Sequence, residues 1–313
     1  MKLTRATPEE AIARDRLSYD AWGTPLEPDD WVERERRLRA HVWAQEALTS
    51  YLLKGDDGEV LASCEAYRVQ SRFRGVPGWS FAIASVYTES RLRGQGHAST
   101  MMRLLNEEFM RIEPRLQAAT LYSDVGPRIY ERAGYRATSG LDLVFQPAAG
   151  DPAAAVDRLI RAQDLWTEHA RVPQPDAEFL IFPSANECDW HLERERIYAQ
   201  FLGRPALPTA GARAGDGTIF WMANHRDGKL KVLLLSAARG EEARALMTAA
   251  QRIAHQVGLS AVQLWEHPRP LGFEHVFTDA VRQPREGALP MLCPFVPALG
   301  VEHWTWITRG IWV

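Results

Sequence analysis

Cysteine is scarce in this chain, with three among 313 residues, and none stands in a metal-binding or redox spacing. Cys64, Cys188 and Cys293 are odd in number and far apart, so neither a disulfide framework nor a zinc site is expected. The sequence also lacks an apolar run of about 18 residues, which a membrane-spanning helix needs. Its first residues lack the apolar stretch of a secretory signal. These absences predict a cytoplasmic protein without a metal cofactor or a membrane partner.

An excess of one charge is missing too. The chain has 37 Lys and Arg against 40 Asp and Glu, a net charge of −3, which gives no support to a nucleic-acid partner. Arginine alternates with glutamate over residues 31–37, a pattern typical of a solvated helix face with internal ion pairs. The length favours two domains of about 150 residues.

Helix and strand patterns alternate along the chain and predict an α/β (α+β) fold. A helix begins at Pro8 with Thr7 as its N-cap. Residues 146–152, rich in proline and glycine, form the best linker, which predicts domains at 1–146 and 153–313. Residues 189–196 resemble 30–36 with one insertion, and the same order of elements follows. This order favours a degenerate internal repeat, although any α+β domain can show it.

The loop between a buried strand ending at Tyr87 and a helix from about Ala98 carries the clearest chemistry. Its glycines, Gly94 and Gly96, permit positive φ angles, and a helix N-terminus adds partial positive charge. Such a loop is typical of a diphosphate-binding site. A dinucleotide fingerprint fits poorly, because Ser99 stands where the third glycine belongs and the loop does not open a βαβ unit.

The run Arg93-Gly94-Gln95-Gly96-His97-Ala98 matches the Arg/Gln-x-x-Gly-x-Gly/Ala pattern of the GNAT superfamily of acyl-CoA-dependent N-acyltransferases. A second motif, residues 121–135, resembles the strand–loop–helix of that superfamily, with Tyr130 four residues before Gly134. The resemblance covers roughly residues 1–146. It implies a GNAT fold, in which helices flank a mixed central sheet, and acetyl-CoA as co-substrate.

The resemblance also implies roles for individual residues. Backbone groups after the buried strand would pair with the pantetheine arm, and the loop amides would bind the pyrophosphate. Arg91 either joins them or is a solvated cation, and Asp124 replaces an asparagine common in relatives. The implied cofactor-binding residues are Ser85, Val86, Tyr87, Arg91, Arg93, Gly94, Gln95, Gly96, His97, Ala98, Asp124 and Tyr130.

Three residues are candidates for catalysis. Tyr130 matches the tyrosine that protonates the leaving thiolate, and its ordinary pKa near 10 suits that task; a core aromatic is the alternative. Glu65 and Glu89 are candidates for the base that takes the ammonium proton. Either glutamate also suits an ordinary surface position.

Residues 84–88, 121–126, 189–191 and 303–313 look like the fungal lysine N6-acetyltransferase family, which acetylates the side-chain amine of free lysine. Between Pro268 and Gly300 little is recognised. A small-molecule amine is therefore the expected acceptor, free lysine above all. A protein or peptide acceptor, or a non-catalytic acyl-CoA sensor, is the alternative. Arg309 and Asp189 could hold a free amino acid, but nothing in the sequence selects them.

The aromatic C-terminus predicts a last strand with Trp304, Trp306 and Trp312 on one alternating face. That face would pack on a partner sheet. Alternatively, with Glu302 or His303 nearby, it would help wall an amine pocket between the domains. His191 and His225 are expected to be ordinary histidines.

Overall fold

The computed structural model describes residues 1–268, 272, 274–285 and 287–313. The strands are β1 (Lys2–Arg5), β2 (Leu48–Lys54), β3 (Val60–Phe73), β4 (Val76–Tyr87), β5 (Leu116–Ser123), β6 (Arg136–Ala137), β7 (Leu141–Phe145), β8 (Arg158–Ile160), β9 (Phe179–Leu180), β10 (Gly211–Ala214), β11 (Gly217–Asn224), β12 (Lys229–Ser236), β13 (Ala261–Glu266), β14 (Val281–Pro284) and β15 (Leu289–Pro294). The helices are α1 (Pro8–Trp22), α2 (Pro28–Ala40), α3 (Val42–Ala47), α4 (His97–Ile112), α5 (Arg128–Glu131), α6 (Leu165–His169), α7 (Ala185–Phe201) and α8 (Gly240–Gln256).

Local sequence explains where the principal helices begin. The Glu10 amide donates to the Thr7 hydroxyl at 3.3 Å, and the Thr7 amide donates to the Glu10 carboxylate at 2.9 Å. This capping box, with Pro8 in the first turn, confirms the predicted start of α1. Ser184 and Glu187 form the same reciprocal pair at the start of α7.

Two sheets with one strand pattern form the centre of the fold. The first sheet has the order β1-β2-β3-β4-β5-β15-β6, with β9 paired to β3, and the second has the order β8-β10-β11-β12-β13-β7-β14. In each, the fourth and fifth strands are parallel and all other neighbours are antiparallel. This shared order supports the predicted internal repeat. We call the first sheet with α1–α5 the first lobe, and the second sheet with α6–α8 the second lobe.

The sixth strand of each sheet comes from the other half of the chain. β7 lies in the first half of the sequence, but it pairs with β13 and β14 in the second sheet. β15 pairs with β5 and β6 in the first sheet, where Met291 lies opposite Leu121. The predicted division at 1–146 and 153–313 stays a prediction, and two strands are exchanged across it.

Much of the apolar packing of the two lobes lies in three large cores. One lies between the first sheet and α4, around Phe81 and Phe109, whose rings stack with centroids 4.0 Å apart. A second lies between the second sheet and α8, around Trp221. A third joins the lobes and contains Trp190 and Trp304. None of the described helices combines the length and apolarity that a bilayer crossing needs.

The C-terminal segment, residues 301–313, is not the predicted strand. Short 3-10 turns at Val301–His303 and Arg309–Ile311 satisfy its backbone groups locally. Its tryptophans also take separate environments: Trp304 lies near Tyr122, while Trp306 stacks on His267 at 5.3 Å. Because each ring finds its own partner, the alternation in the sequence did not correspond to a strand.

The prediction of a solvated helix face over residues 31–37 is wrong for two residues, Arg34 and Glu35. Arg36 and Glu33 do form an exposed ion pair. Arg34 and Glu35, however, are only 5% and 8% exposed, because they share the helix face of Trp31 and Leu38, which packs inward.

Candidate functional site

The central strands of the first sheet separate at one end. Pairing between β4 and β5 ends at Ile83 and Leu121, so residues 84–87 of β4 have no partner on that side. A β-bulge follows immediately, since Ser85 and Val86 lie opposite Cys64 alone and Ser85 has φ +53°. The splayed strands leave backbone groups free to pair with an extended ligand.

Buried charges fix this bulge. The Ser85 hydroxyl donates to Glu65 at 3.2 Å, and Arg14 donates both to Glu65 at 3.3 Å and to the Ser85 carbonyl at 3.2 Å. Arg39 approaches Glu65 at 3.7 Å and pairs with Asp15. Burial raises the pKa of the Asp15 carboxyl to about 6. This network stabilises a backbone conformation that a non-glycine residue seldom adopts.

The loop before α4 leaves the N-terminus of that helix without a side-chain cap. Gly94 and Gly96 have φ +79° and +82°, and an added Cβ on either would meet no atom within 4 Å. No side chain in the described part of the chain caps α4, and its first turn contains no acidic residue. The Thr88 hydroxyl and the His97 Nε2 are buried without a hydrogen-bond partner there. These open donors fit a diphosphate.

The basic residues of this loop have partners. Arg93 donates to the Thr88 carbonyl at 3.0 Å. Arg91 pairs with Glu59 at 2.6 Å and with Glu89 at 3.0 Å. Arg91 therefore lies at the surface in an ion-pair cluster, and Glu89 is part of the same cluster.

Tyr130 lies on α5 beside the open strands. Its side chain is buried, and burial, followed by the charge of Asp124, raises its pKa to about 12. It therefore keeps its proton throughout the neutral range, as a general acid must. Tyr135 packs in the core and donates to Asn106 at 3.2 Å.

Asp124 connects the site to the exchanged strand. Its carboxylate accepts the Ala288 amide at 2.7 Å, immediately before β15. The Asp124 carboxylate thus holds the backbone at the start of β15, and Asp124 also lines the cavity described next.

A cavity of about 210 Å³ opens where the strands separate. The first lobe contributes Ser85, Val86, Tyr130 and Glu65 to its wall, whereas Glu89 is not among the described lining residues. The second lobe and the C-terminal segment close the opposite side with Trp190, Arg194, Tyr198, Arg226, Trp312 and Val313. The second half therefore forms part of the pocket, a role that the sequence left open.

Several lining residues were not predicted. Arg34, Glu35 and Arg194 all face this cavity. The signal available in the sequence was their helical spacing from Trp31 and Trp190, which places them on apolar faces. The residues considered for an amino acid lie elsewhere: Asp189 pairs with His41 at 3.0 Å, and Arg309 lies 3.9 Å from the Trp312 ring.

The cysteines are free and buried, and among the described residues no group of three His, Cys, Asp or Glu side chains could hold a metal ion.

Comparison with known proteins agrees with this architecture. Residues 153–285 match the family model described as the LYC1 GNAT-like C-terminal domain. A protein of Yarrowia lipolytica named lysine acetyltransferase is 25% identical over an alignment of 328 positions, and the alignment spans 84% of this chain and 83% of the relative.

Solved structures show the same fold. A probable N-acyltransferase of Enterococcus faecalis V583 superposes with a TM-score of 0.58 at 15% identity, covering 93% of this chain and 71% of the other. A GCN5-related N-acetyltransferase from Kribbella flavida gives 0.57 at 19% identity, with 93% and 70% covered.

Proposed function

We propose that this chain, whose residues 153–285 match a LYC1 GNAT-like domain and which is similar to a fungal lysine acetyltransferase, is an N-acetyltransferase that acetylates the primary amine of a small molecule. Acetyl-CoA is the proposed donor and the side-chain amine of free lysine the proposed acceptor. One observation supports a small acceptor above all: a cavity beside Tyr130 that the second lobe closes. A reducing cytoplasm, which suits three free cysteines, is the proposed location.

The cofactor assignment rests on the open strand end and the uncapped loop. Acetyl-CoA supplies an activated thioester carbonyl. The free backbone groups of Ser85, Val86 and Tyr87 would hold its pantetheine arm by adding to the edge of β4. The amides from Gly94 to Ala98 would bind its pyrophosphate at the N-terminus of α4. Arg93 would stand beside the phosphates.

The chemistry that we propose is direct transfer. The neutral amine attacks the thioester carbonyl, the C–N bond forms, and the C–S bond breaks to release the thiolate. Tyr130, which its raised pKa keeps protonated until then, donates its proton to that thiolate, and the resulting tyrosinate takes up the proton that the acylated nitrogen releases. Positioning in the closed cavity supplies much of the rate.

The amine must first lose a proton. Glu65 is the proposed acceptor, acting through water, because its carboxylate lines the cavity. Its carboxylate already accepts a hydrogen bond from Arg14, so a water between the carboxylate and the amine is part of the proposal. Glu89 is a weaker candidate, since Arg91 holds it at the surface.

The test is thiol release from acetyl-CoA with a panel of amines: lysine, ornithine, diaminobutyrate, polyamines, aminoglycosides and a lysine-containing peptide. We expect turnover with free lysine, and mass spectrometry should locate the acetyl group on its side chain. Turnover with another small amine would keep the chemistry and overturn the lysine assignment. Activity with the peptide alone would overturn the small-molecule proposal, and silence with every amine would favour a sensor.

A further inference from the structure

One partly buried cation in the cavity differs from the paired charges beside it. Glu35 pairs with Arg34, Glu65 with Arg14, and the Asp124 carboxylate accepts a backbone amide. Arg194 has no hydrogen-bond or ion-pair partner in the described part of the chain; its close contact is the Trp312 ring, 4.5 Å from its guanidinium carbon.

The internal repeat explains why Arg194 is unpaired. The matching segments Asp30–Arg36 and Asp189–Arg196 align Arg34 with Arg194 and Glu35 with Glu195. In the first lobe the glutamate pairs with its neighbouring arginine. In the second lobe Glu195 turns away and accepts the Leu207 amide at 2.7 Å and the Ala223 amide at 3.3 Å. The second lobe therefore has one ion pair fewer than the first on the cavity side.

The surroundings of Arg194 add further positive charge. Burial, followed by the charge of Arg34, lowers the pKa of the Arg194 guanidinium to about 9, and Arg309 and Arg226 act in the same direction. The group still carries its charge at neutral pH. A partly buried cation among cations is costly, and an anion in the cavity would relieve that cost.

We propose that Arg194 binds a carboxylate of the amine substrate, which makes the acceptor an amino acid and excludes simple amines. The inference rests on the proposed function, because the cavity that Arg194 lines is also lined by Ser85 and Tyr130. A guanidinium matches the two oxygens of a carboxylate and discriminates strongly against an analogue without them. The phosphates of the co-substrate are not an alternative, since Gly94–Ala98 are not among the lining residues.

The experiment compares three acceptors that differ in one group each: lysine, 6-aminohexanoate without the α-amine, and cadaverine without the carboxylate. Wild-type kcat/KM should be about 100-fold higher for lysine than for cadaverine, with 6-aminohexanoate close to lysine. Arg194→Gln should lower kcat/KM for both carboxylates by about 100-fold, chiefly through KM. For cadaverine the change should stay within about threefold.

The matched control is Arg196→Gln. Arg196 lies two residues along α7 outside the cavity, where it pairs with Asp189 and Glu193, so kinetics with each acceptor should stay near wild type. Thermal melting and calorimetric affinity for CoA, both unchanged in Arg194→Gln, would show that the variant is folded.

Equal losses for lysine and cadaverine in Arg194→Gln would overturn the inference and leave the proposed function intact. If the wild type acetylates no amine, the proposed function fails, and calorimetry of lysine binding then tests Arg194 separately. Binding that Arg194→Gln abolishes would support the carboxylate site, and binding that it leaves unchanged would overturn it.

Discussion

The loops before α4 and α8 occupy matching places in the two sheets, but only one is left open. Each follows the fourth strand of its sheet and leads into the helix before the fifth. At α8, the Glu242 carboxylate accepts the amides of Ala238 and Arg239 at 3.2 Å and of Asp216 at 3.3 Å. At α4 the equivalent third helical residue is Ser99, and no acidic side chain takes that role among the described residues. In the second lobe the Glu242 carboxylate therefore occupies the N-terminus of α8, whereas the first lobe leaves the N-terminus of α4 open.

The strand openings differ in the same way. In the second lobe the C-terminal segment bridges the parallel strands: Thr308 donates to the Leu233 carbonyl of β12, and the Ile307 amide donates to His267, just after β13. In the first lobe the corresponding opening is the cavity beside Tyr130. The two lobes therefore differ in these groups: the first leaves them open, and the second pairs them with its own side chains.

The largest expected effect comes from making the first loop resemble the second. Ser99→Glu should place a carboxylate at the start of α4, satisfy its amides and repel phosphate. We expect affinity for CoA to fall by about 1000-fold, measured by calorimetry.

Ser99→Gln is the control, because it has equal length without the charge, and a loss below about tenfold is expected. The reciprocal change, Glu242→Ser, should gain no CoA binding because Thr308 and its neighbours fill that opening. It should cost about 1 kcal/mol of stability. Equal losses for Glu and Gln at position 99 would show that size, and not charge, decides binding.

The second largest effect is expected at Tyr130, which has no counterpart after β13 in the second lobe. Residues 260–313 contain no tyrosine, so nothing in that stretch can replace Tyr130. Tyr130→Phe should lower kcat by about 100-fold while affinity for CoA stays within about threefold. Because the pKa of Tyr130 is raised to about 12, the loss should be constant from pH 6 to 9, as stopped thiol-release assays can show.

Tyr135→Phe provides the comparison within the core. It removes only the bond to Asn106 and should retain activity while losing about 1 kcal/mol of stability. Full activity of Tyr130→Phe at every pH would remove the acid from the mechanism.

The smallest effect is expected at His267, which accepts the Ile307 amide where the parallel strands of the second lobe separate. His267→Phe retains a ring to stack on Trp306 but leaves the Ile307 amide without its acceptor, which should cost about 1–3 kcal/mol at pH 7.5. Burial lowers the pKa of His267 to about 4. The wild type therefore loses stability as pH falls from 6.5 towards 4, because the unfolded imidazole binds a proton that the folded one does not.

Phenylalanine does not titrate, so acidification should cost the wild type about 3 kcal/mol more than His267→Phe, and the difference in stability between them should vanish or reverse in sign. Urea unfolding at several pH values measures it. His255→Phe, an exposed position on α8, should show neither effect. A gap that is constant with pH would mean that His267 is not the group responsible.

Much of the fold could be predicted from local pattern. The helix that begins at Pro8, the strand that ends at Tyr87 and the helix from about Ala98 are present within one residue of their predicted bounds, because apolar pattern and capping residues such as Thr7 act locally. The loop at Gly94 and Gly96 could also be predicted, since its φ angles require glycine.

What failed depended on distant contacts. Nothing near Leu141 indicates that β7 pairs with β13, and nothing near Trp304 indicates that each tryptophan packs on a different partner. Arg34 and Arg194 were missed for a related reason, since alternating charge suggested solvent while the apolar face beside them was turned inward.

The exchange of β7 and β15 also constrains how the polypeptide can acquire its shape. Leu121 cannot meet Met291 until the segment between them has left the ribosome, so the first sheet waits for its sixth strand until the strands of the second sheet have been synthesised. Such long-range pairing slows folding and leaves the edge of β5 exposed in the meantime. Each lobe holds a strand the other has supplied, and the two should melt in one cooperative transition.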